Sequence, residues 1–269
     1  MNTLINGVQY HVEICGDGVP LLLLHGFTGA ASVWKPFCPV WKNHSQLVMV
    51  DLIGHGKTDS PNNSGRYEII KVARDLKVLL DELGIEKTDL LGYSMGGRVA
   101  ITFASLFPEK VRKLVLESTT PGIKSAADRA SRIQQDHNLA LRIEVDGVNQ
   151  FIDFWESIPL FHSQLNLPDE VREQIRSQRL NNNPAGLANS LRGMGTGSQP
   201  SWWDKLDSLK IQTLLITGTL DEKFCKIAKE MASVLPNATH MSIFGCGHAI
   251  HVEEPEKFGT IVSEFLSNT

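Results

Sequence analysis

Gly92-Tyr93-Ser94-Met95-Gly96-Gly97-Arg98 decides how this chain is read. It follows the apolar run Asp89-Leu90-Leu91 and precedes the helix-like run Val99-Ala100-Ile101-Thr102-Phe103-Ala104. A serine between glycines, where a strand ends and a helix begins, reads as a nucleophile elbow. The serine must stand on a tight, strained turn, so its neighbours carry no bulk. Gly92 and Gly96 let the strand and the helix approach closely. The helix N-terminus then aims amide N–H groups and a partial positive charge at any oxyanion formed there. Taken alone the pentapeptide is also compatible with a plain turn. Its weight comes from partners elsewhere in the chain.

Outward from the elbow, strand and helix signals alternate. Residues 2–14 read as two antiparallel strands turning at Asn6-Gly7. Leu21–Leu24 and Leu47–Val50 are continuous apolar runs, as in strands buried on both faces of a parallel sheet. Ile69, Val72, Leu76, Leu79, Leu80 and Leu83 have helical spacing, with Gly84 as a C-cap. After the elbow helix, Val111–Leu116 is another strand, ending at Glu117. The core resumes with strands at 212–217 and 240–244 and a closing helix over 255–267. Between them strand signals vanish, and helices are predicted near 126–145, 147–156, 168–180 and 184–194. The expectation is an α/β core over 1–120 and 205–269, with an inserted helical cap over 121–204.

With 269 residues, 42% hydrophobic and 21% charged, the chain has the composition of a soluble globular protein. A net charge of −4 gives no footprint for nucleic acid. The N-terminus carries no signal-peptide pattern, and the early apolar run Val19–Leu24 is too short for insertion in a bilayer. Cys15, Cys38, Cys225 and Cys246 are widely spaced, which suggests neither a zinc site nor a disulfide framework. Reduced thiols, a cytoplasmic location and no metal or organic cofactor are expected. Cys246, two residues before His248, is a rival nucleophile without an elbow.

The chemistry-bearing residues fall at the C-terminal ends of predicted strands, where ligands bind open α/β sheets. Ser94, Asp221 and His248 come in the chain order nucleophile, acid, histidine. Histidine supplies a base near neutral pH, and an aspartate holds its tautomer and stabilises its cation. Asp221 is open to a second reading as a helix cap, with Glu117 as the alternative acid. His248 has the rival reading of a structural loop histidine. His25-Gly26-Phe27-Thr28-Gly29 follows a buried strand, so the backbone N–H groups of Phe27 and Met95 are the candidate oxyanion-hole donors.

Together these residues resemble the α/β-hydrolase superfamily along nearly the whole chain, which implies a mostly parallel eight-stranded sheet. HGFTG, DLIGHG, GYSMGG, GTLDEKF and GCGHAIHVEEPEKF occur in the expected order. GYSMGGR, ESTTPGI, FWESIPLF and RLNNNPAGLANSLRGMGTGSQP are similar to one family within it. That family is 2-succinyl-6-hydroxy-2,4-cyclohexadiene-1-carboxylate synthase, of menaquinone biosynthesis. The resemblance implies a lyase in which Ser94, with His248 and Asp221, removes a proton and pyruvate is expelled. It implies a small polycarboxylate substrate and, as substrate-binding residues, Tyr93, Arg98, Gln134, Trp155 and Arg179.

Arg98 lies one helical turn past Ser94, and its fork suits a carboxylate; a surface salt bridge is its bland alternative. Trp155 reads equally well as an aromatic of the cap core, and Arg132, Arg142 and Arg192 are weaker candidates. A monomer or weak homo-oligomer is expected, and a serine hydrolase on the same fold is the competing activity.

Overall fold

The computed structural model describes residues 1–267. Eight strands form one sheet: β1 (Asn2–Ile5), β2 (Val8–Cys15), β3 (Val19–Leu24), β4 (Ser45–Val50), β5 (Thr88–Tyr93), β6 (Val111–Glu117), β7 (Gln212–Gly218) and β8 (Ala238–Ile243). Their order is β1-β2-β4-β3-β5-β6-β7-β8. β2 is antiparallel to β1 and β4, and the other pairings are parallel. The β1–β2 turn uses positive φ at Asn6 (48°) and Gly7 (79°), which a two-residue hairpin requires.

The helices are α1 (Cys38–Trp41), α2 (Ile69–Glu82), α3 (Met95–Leu106), α4 (Ala126–Ser157), α5 (Asp169–Leu180), α6 (Pro184–Met194), α7 (Glu222–Val234), α8 (Ile250–Glu253) and α9 (Pro255–Ser267). Alternation along β3 divides the core. Leu22 and Leu24 pack with α2 and α3 on one face, whereas Leu21 and Leu23 pack with Trp34, Trp41 and Phe258 on the other. Both layers bury the central strands completely, which is why those strands read as unbroken apolar runs.

α4, α5 and α6 lie between β6 and β7, in the segment read as a cap. Gly147, with φ 79° and ψ 169°, interrupts α4. This segment has its own small core, in which Ala140, Ile143 and Phe151 of α4 meet Leu187 and Leu191 of α6.

One expectation is overturned. Cys15, at the end of β2, and Cys38, at the start of α1, form a disulfide with Cα atoms 6.2 Å apart. Their 23-residue separation carries no motif, so only the fold brings them within bonding range. No helix is long and apolar enough to cross a membrane among the described residues.

Candidate active site

β5 ends at Tyr93 and α3 begins at Met95, so Ser94 occupies the junction alone. Its backbone is strained, with φ 50° and ψ −105°. A Cβ on Gly96 would collide with the Leu24 carbonyl, and one on Gly92 with the Gly96 carbonyl. The Ser94 N–H donates to the Glu117 carbonyl (2.9 Å), which fixes the elbow to β6. Ser94 Oγ lies 2.9 Å from His248 Nε2, and His248 Nδ1 lies 2.6 Å from Asp221 Oδ2.

Both readings of Asp221 hold at once. Its Oδ1 caps α7 by accepting from Phe224 N–H (3.3 Å), while Oδ2 faces His248. Glu117 is fully buried and engaged elsewhere, with His251 Nδ1 2.9 Å from its Oε2 and His251 N–H donating to Oε1 (3.0 Å). Cys246 is buried, and desolvation pushes its thiol up to about 11, which suppresses the thiolate at neutral pH. The His248 loop has a support that no sequence signal marked. Glu253 accepts from the N–H groups on either side, Gly247 (2.6 Å) and Ala249 (3.3 Å).

Ser94 and His248 open into a cavity of about 470 Å³, also lined by Phe27, Met95, Tyr93, Arg98 and Trp155. Met95 is the first residue of α3, so its N–H belongs to the unpaired N-terminal turn. Tyr93 packs beside the rings of His248 and His251, and burial drives its phenol well above the ordinary value, so it stays protonated. Trp155 meets Phe27 edge-on at 5.4 Å, and its buried Nε1 has no hydrogen-bond partner among the described residues.

Arg98 is buried, and its Nη1 donates to the Met194 carbonyl and to Gln199 Oε1 (3.0 Å). Burial lowers its pKa only to about 10, so the guanidinium remains charged near neutrality. The surface salt bridge is therefore not its arrangement.

Two of the expected substrate-binding residues lie outside this cavity. Gln134 is exposed and pairs with Asn138 (3.0 Å). Arg132 and Asp136, one turn apart on α4, line the cavity, and Gln134 midway between them faces outward. Arg179 does not line the cavity of Ser94. It borders a neighbouring one of about 330 Å³, with Phe161 between its guanidinium (4.9 Å) and the ring of His248 (6.1 Å). Glu156 and Gln164, each 3.2 Å away, hold it there. Arg142 packs over Phe154 and Arg192 pairs with Glu144, both away from this cavity. The cavity also takes Lys124, which sequence reading passed over, and Lys223, which it met only within GTLDEKF.

The asparagine run is a strut. Asn182 donates to the Thr28 carbonyl (2.8 Å) and accepts from Gly56 N–H (3.0 Å), tying the cap to both loops beside the elbow. Asn183 caps α6. No group of three or more His, Cys, Asp or Glu side chains is arranged to hold a metal ion among the described residues.

This geometry matches a known family. A family profile described as the alpha/beta hydrolase fold covers residues 19–255. The chain belongs to that family. It is 47% identical to a candidate 2-succinyl-6-hydroxy-2,4-cyclohexadiene-1-carboxylate synthase from Bacillus subtilis (strain 168), over 99% of this chain and 97% of the relative. It is 32% identical to a synthase of the same name from Photorhabdus laumondii, over 92% and 85%. Among solved structures, MenH from S. aureus superposes with a TM-score of 0.91 at 36% identity, covering 96% of this chain and 97% of that one. As an α/β hydrolase with Ser94, His248 and Asp221 in hydrogen-bonded sequence, the chain is built as an enzyme.

Proposed function

We propose that this enzyme is a cytoplasmic carbon–oxygen lyase of menaquinone biosynthesis. It eliminates pyruvate from 2-succinyl-5-enolpyruvyl-6-hydroxy-3-cyclohexene-1-carboxylate and forms 2-succinyl-6-hydroxy-2,4-cyclohexadiene-1-carboxylate. The observation that carries this reading is one cavity holding both the Ser94–His248 pair and a charged guanidinium, Arg98, whose own partners are neutral oxygens. The names of the relatives agree with it.

The double-bond positions in the two names define the electron flow. Ser94 Oγ, with its proton passed to His248, takes the ring proton beside the succinyl carbonyl. The C–H pair forms a new ring double bond, the existing double bond shifts by one position, and the carbon–oxygen bond to the enolpyruvyl group breaks. The departing enolate takes a proton on carbon and becomes pyruvate. Asp221 stabilises the His248 cation. The N–H groups of Phe27 and Met95 are the donors for charge developing on the succinyl oxygen. The substrate carries three carboxylates, and Arg98 offers one of them a planar, permanently charged fork.

On this reading Ser94 moves a proton and forms no acyl-enzyme. A serine hydrolase would use the same triad covalently. Pyruvate release from the purified substrate, followed by coupled oxidation of a reduced nicotinamide, separates the two. Stoichiometric release is expected; no release together with rapid ester hydrolysis would overturn the proposal.

A further inference from the structure

The Gly195-Thr196-Gly197-Ser198-Gln199-Pro200 segment lies outside the triad and the oxyanion hole, yet it is tightly built around one arginine. Gln199 is completely buried. Its Oε1 accepts from Arg98 Nη1 (3.0 Å), and the Met194 carbonyl accepts from the same nitrogen. Gly197 N–H donates to Asp136 Oδ2 (3.3 Å), and Asp136 Oδ1 accepts from Arg132 Nε (2.8 Å). Glycine is needed here, since a Cβ at Gly195 would strike the Asp136 carboxylate (2.6 Å) and one at Gly197 the backbone of Ile133 (2.5 Å). The segment thus closes over Arg98 on one side and Asp136 on the other.

Three features of Gln199 stand out. Arg98 has only donors, so Gln199 must present its oxygen and cannot flip. Its Nε2 is left buried without an acceptor among the described residues, an arrangement that costs stability. A glutamate of the same shape would remove that orphan and form an ion pair with Arg98. The neutral residue therefore leaves the guanidinium without an ion-pair partner: Asp136, whose field favours its charge, is itself bonded to Arg132, whose field opposes it, and no carboxylate lies within ion-pairing distance of Arg98 among the described residues. Both Nη1 protons are used on the cap side. Nη2 and Nε have no partner among the described residues, and Arg98 lines the cavity.

We propose that Gln199 is a positioning residue for substrate binding: it anchors the Nη1 edge of Arg98 through a neutral oxygen, so that the Nη2–Nε edge meets a substrate carboxylate with its full charge. This rests on the reading of the reaction given above. Orientation and charge are separate contributions, and two isosteric changes divide them. Gln199→Glu keeps the anchor and cancels the charge. Gln199→Met removes the anchor and keeps the charge.

The experiment measures pyruvate-release kinetics, thermal unfolding and stabilisation by succinate for the wild type and both variants. Loss of a charge-assisted carboxylate contact raises KM by about 10- to 100-fold. Gln199→Glu is expected to show that rise with kcat within about threefold and a Tm at or above wild type. Gln199→Met is expected to raise KM less and to lower the Tm. A Gln199→Glu protein with wild-type KM, or with kcat falling as far as kcat/KM, overturns the proposal. If Gln199→Glu fails to fold, wild-type KM in Gln199→Met does the same. Should the wild type release no pyruvate, the reaction assignment fails by itself, and succinate then decides. Stabilisation of the wild type that Gln199→Glu loses supports the positioning role, and an equal or absent shift in both overturns it.

Discussion

Glu117 and His251 form a closed pair under the elbow, with His251 Nδ1 2.9 Å from one carboxylate oxygen and the His251 N–H bonded to the other (3.0 Å). The pair keeps the strand-end glutamate off His248 and leaves Asp221 as the carboxylate that orients the triad histidine. It also links β6, which anchors the Ser94 N–H, to α8, which follows directly on His248.

Asp221→Asn is therefore expected to lower kcat for pyruvate release by about 10³- to 10⁴-fold, because the imidazole loses its tautomer and its stabilised cation. Glu117→Gln is expected to cost mainly stability, about 1–3 kcal/mol, since a buried pair is weakened. Steady-state kinetics and urea unfolding on the two variants check this, and the reverse pattern would make Glu117 the acid.

Arg98→Ala is expected to reduce kcat/KM for the polycarboxylate substrate by about 100-fold, far more than for hydrolysis of a neutral ester. Arg98→Lys should recover only part of the loss, because a point charge replaces a two-pronged donor. Comparable losses on both substrates would remove Arg98 from the carboxylate site.

Gly96→Ala tests the elbow. The added methyl meets the carbonyl oxygen of Leu24, a strand backbone atom that cannot swing aside. A destabilisation of at least about 1–3 kcal/mol is expected, with activity lost in proportion to the displacement of Ser94. A wild-type melting curve would contradict the close approach of α3 to β3.

Stability should fall in mild acid because of two buried histidines. His25 Nε2 accepts from the Leu52 N–H (3.0 Å) while Nδ1 faces the Gly26 carbonyl (2.8 Å), an arrangement only the neutral ring satisfies. Burial lowers His25 to about 4 and His55 to about 3. Both lie below the unfolded value, so between them the unfolded chain binds more protons and stability rises with pH. The contribution is complete above pH ~6.5 and is lost as pH falls toward those values. Urea unfolding at pH 7 and pH 5 should differ by about 3 kcal/mol, and His55→Phe should flatten that dependence.

Cys15 and Cys38 give a simple chemical test. Alkylation of the unfolded, unreduced protein should label Cys225 and Cys246 alone, and reduction should expose all four thiols. Opening a loop of this length is expected to cost about 3 kcal/mol, read as a lower Tm in reductant.

The sequence by itself determined the sheet, most helix positions, the elbow and the chain order of Ser94, Asp221 and His248. Those signals are local: apolar periodicity, turn glycines and caps act within a few residues. It left two acids for one histidine, because Glu117 and Asp221 both end strands and only the packing of α8 against β6 decides between them. It did not show that Gln134 faces outward or that Phe161 stands between Arg179 and His248, because each residue turns a helical side chain by about 100° and only tertiary packing decides which face meets the cavity. It also missed the Cys15–Cys38 pairing and the grip of Gln199 on Arg98, contacts between residues 23 and 101 positions apart that exist only once the chain has folded.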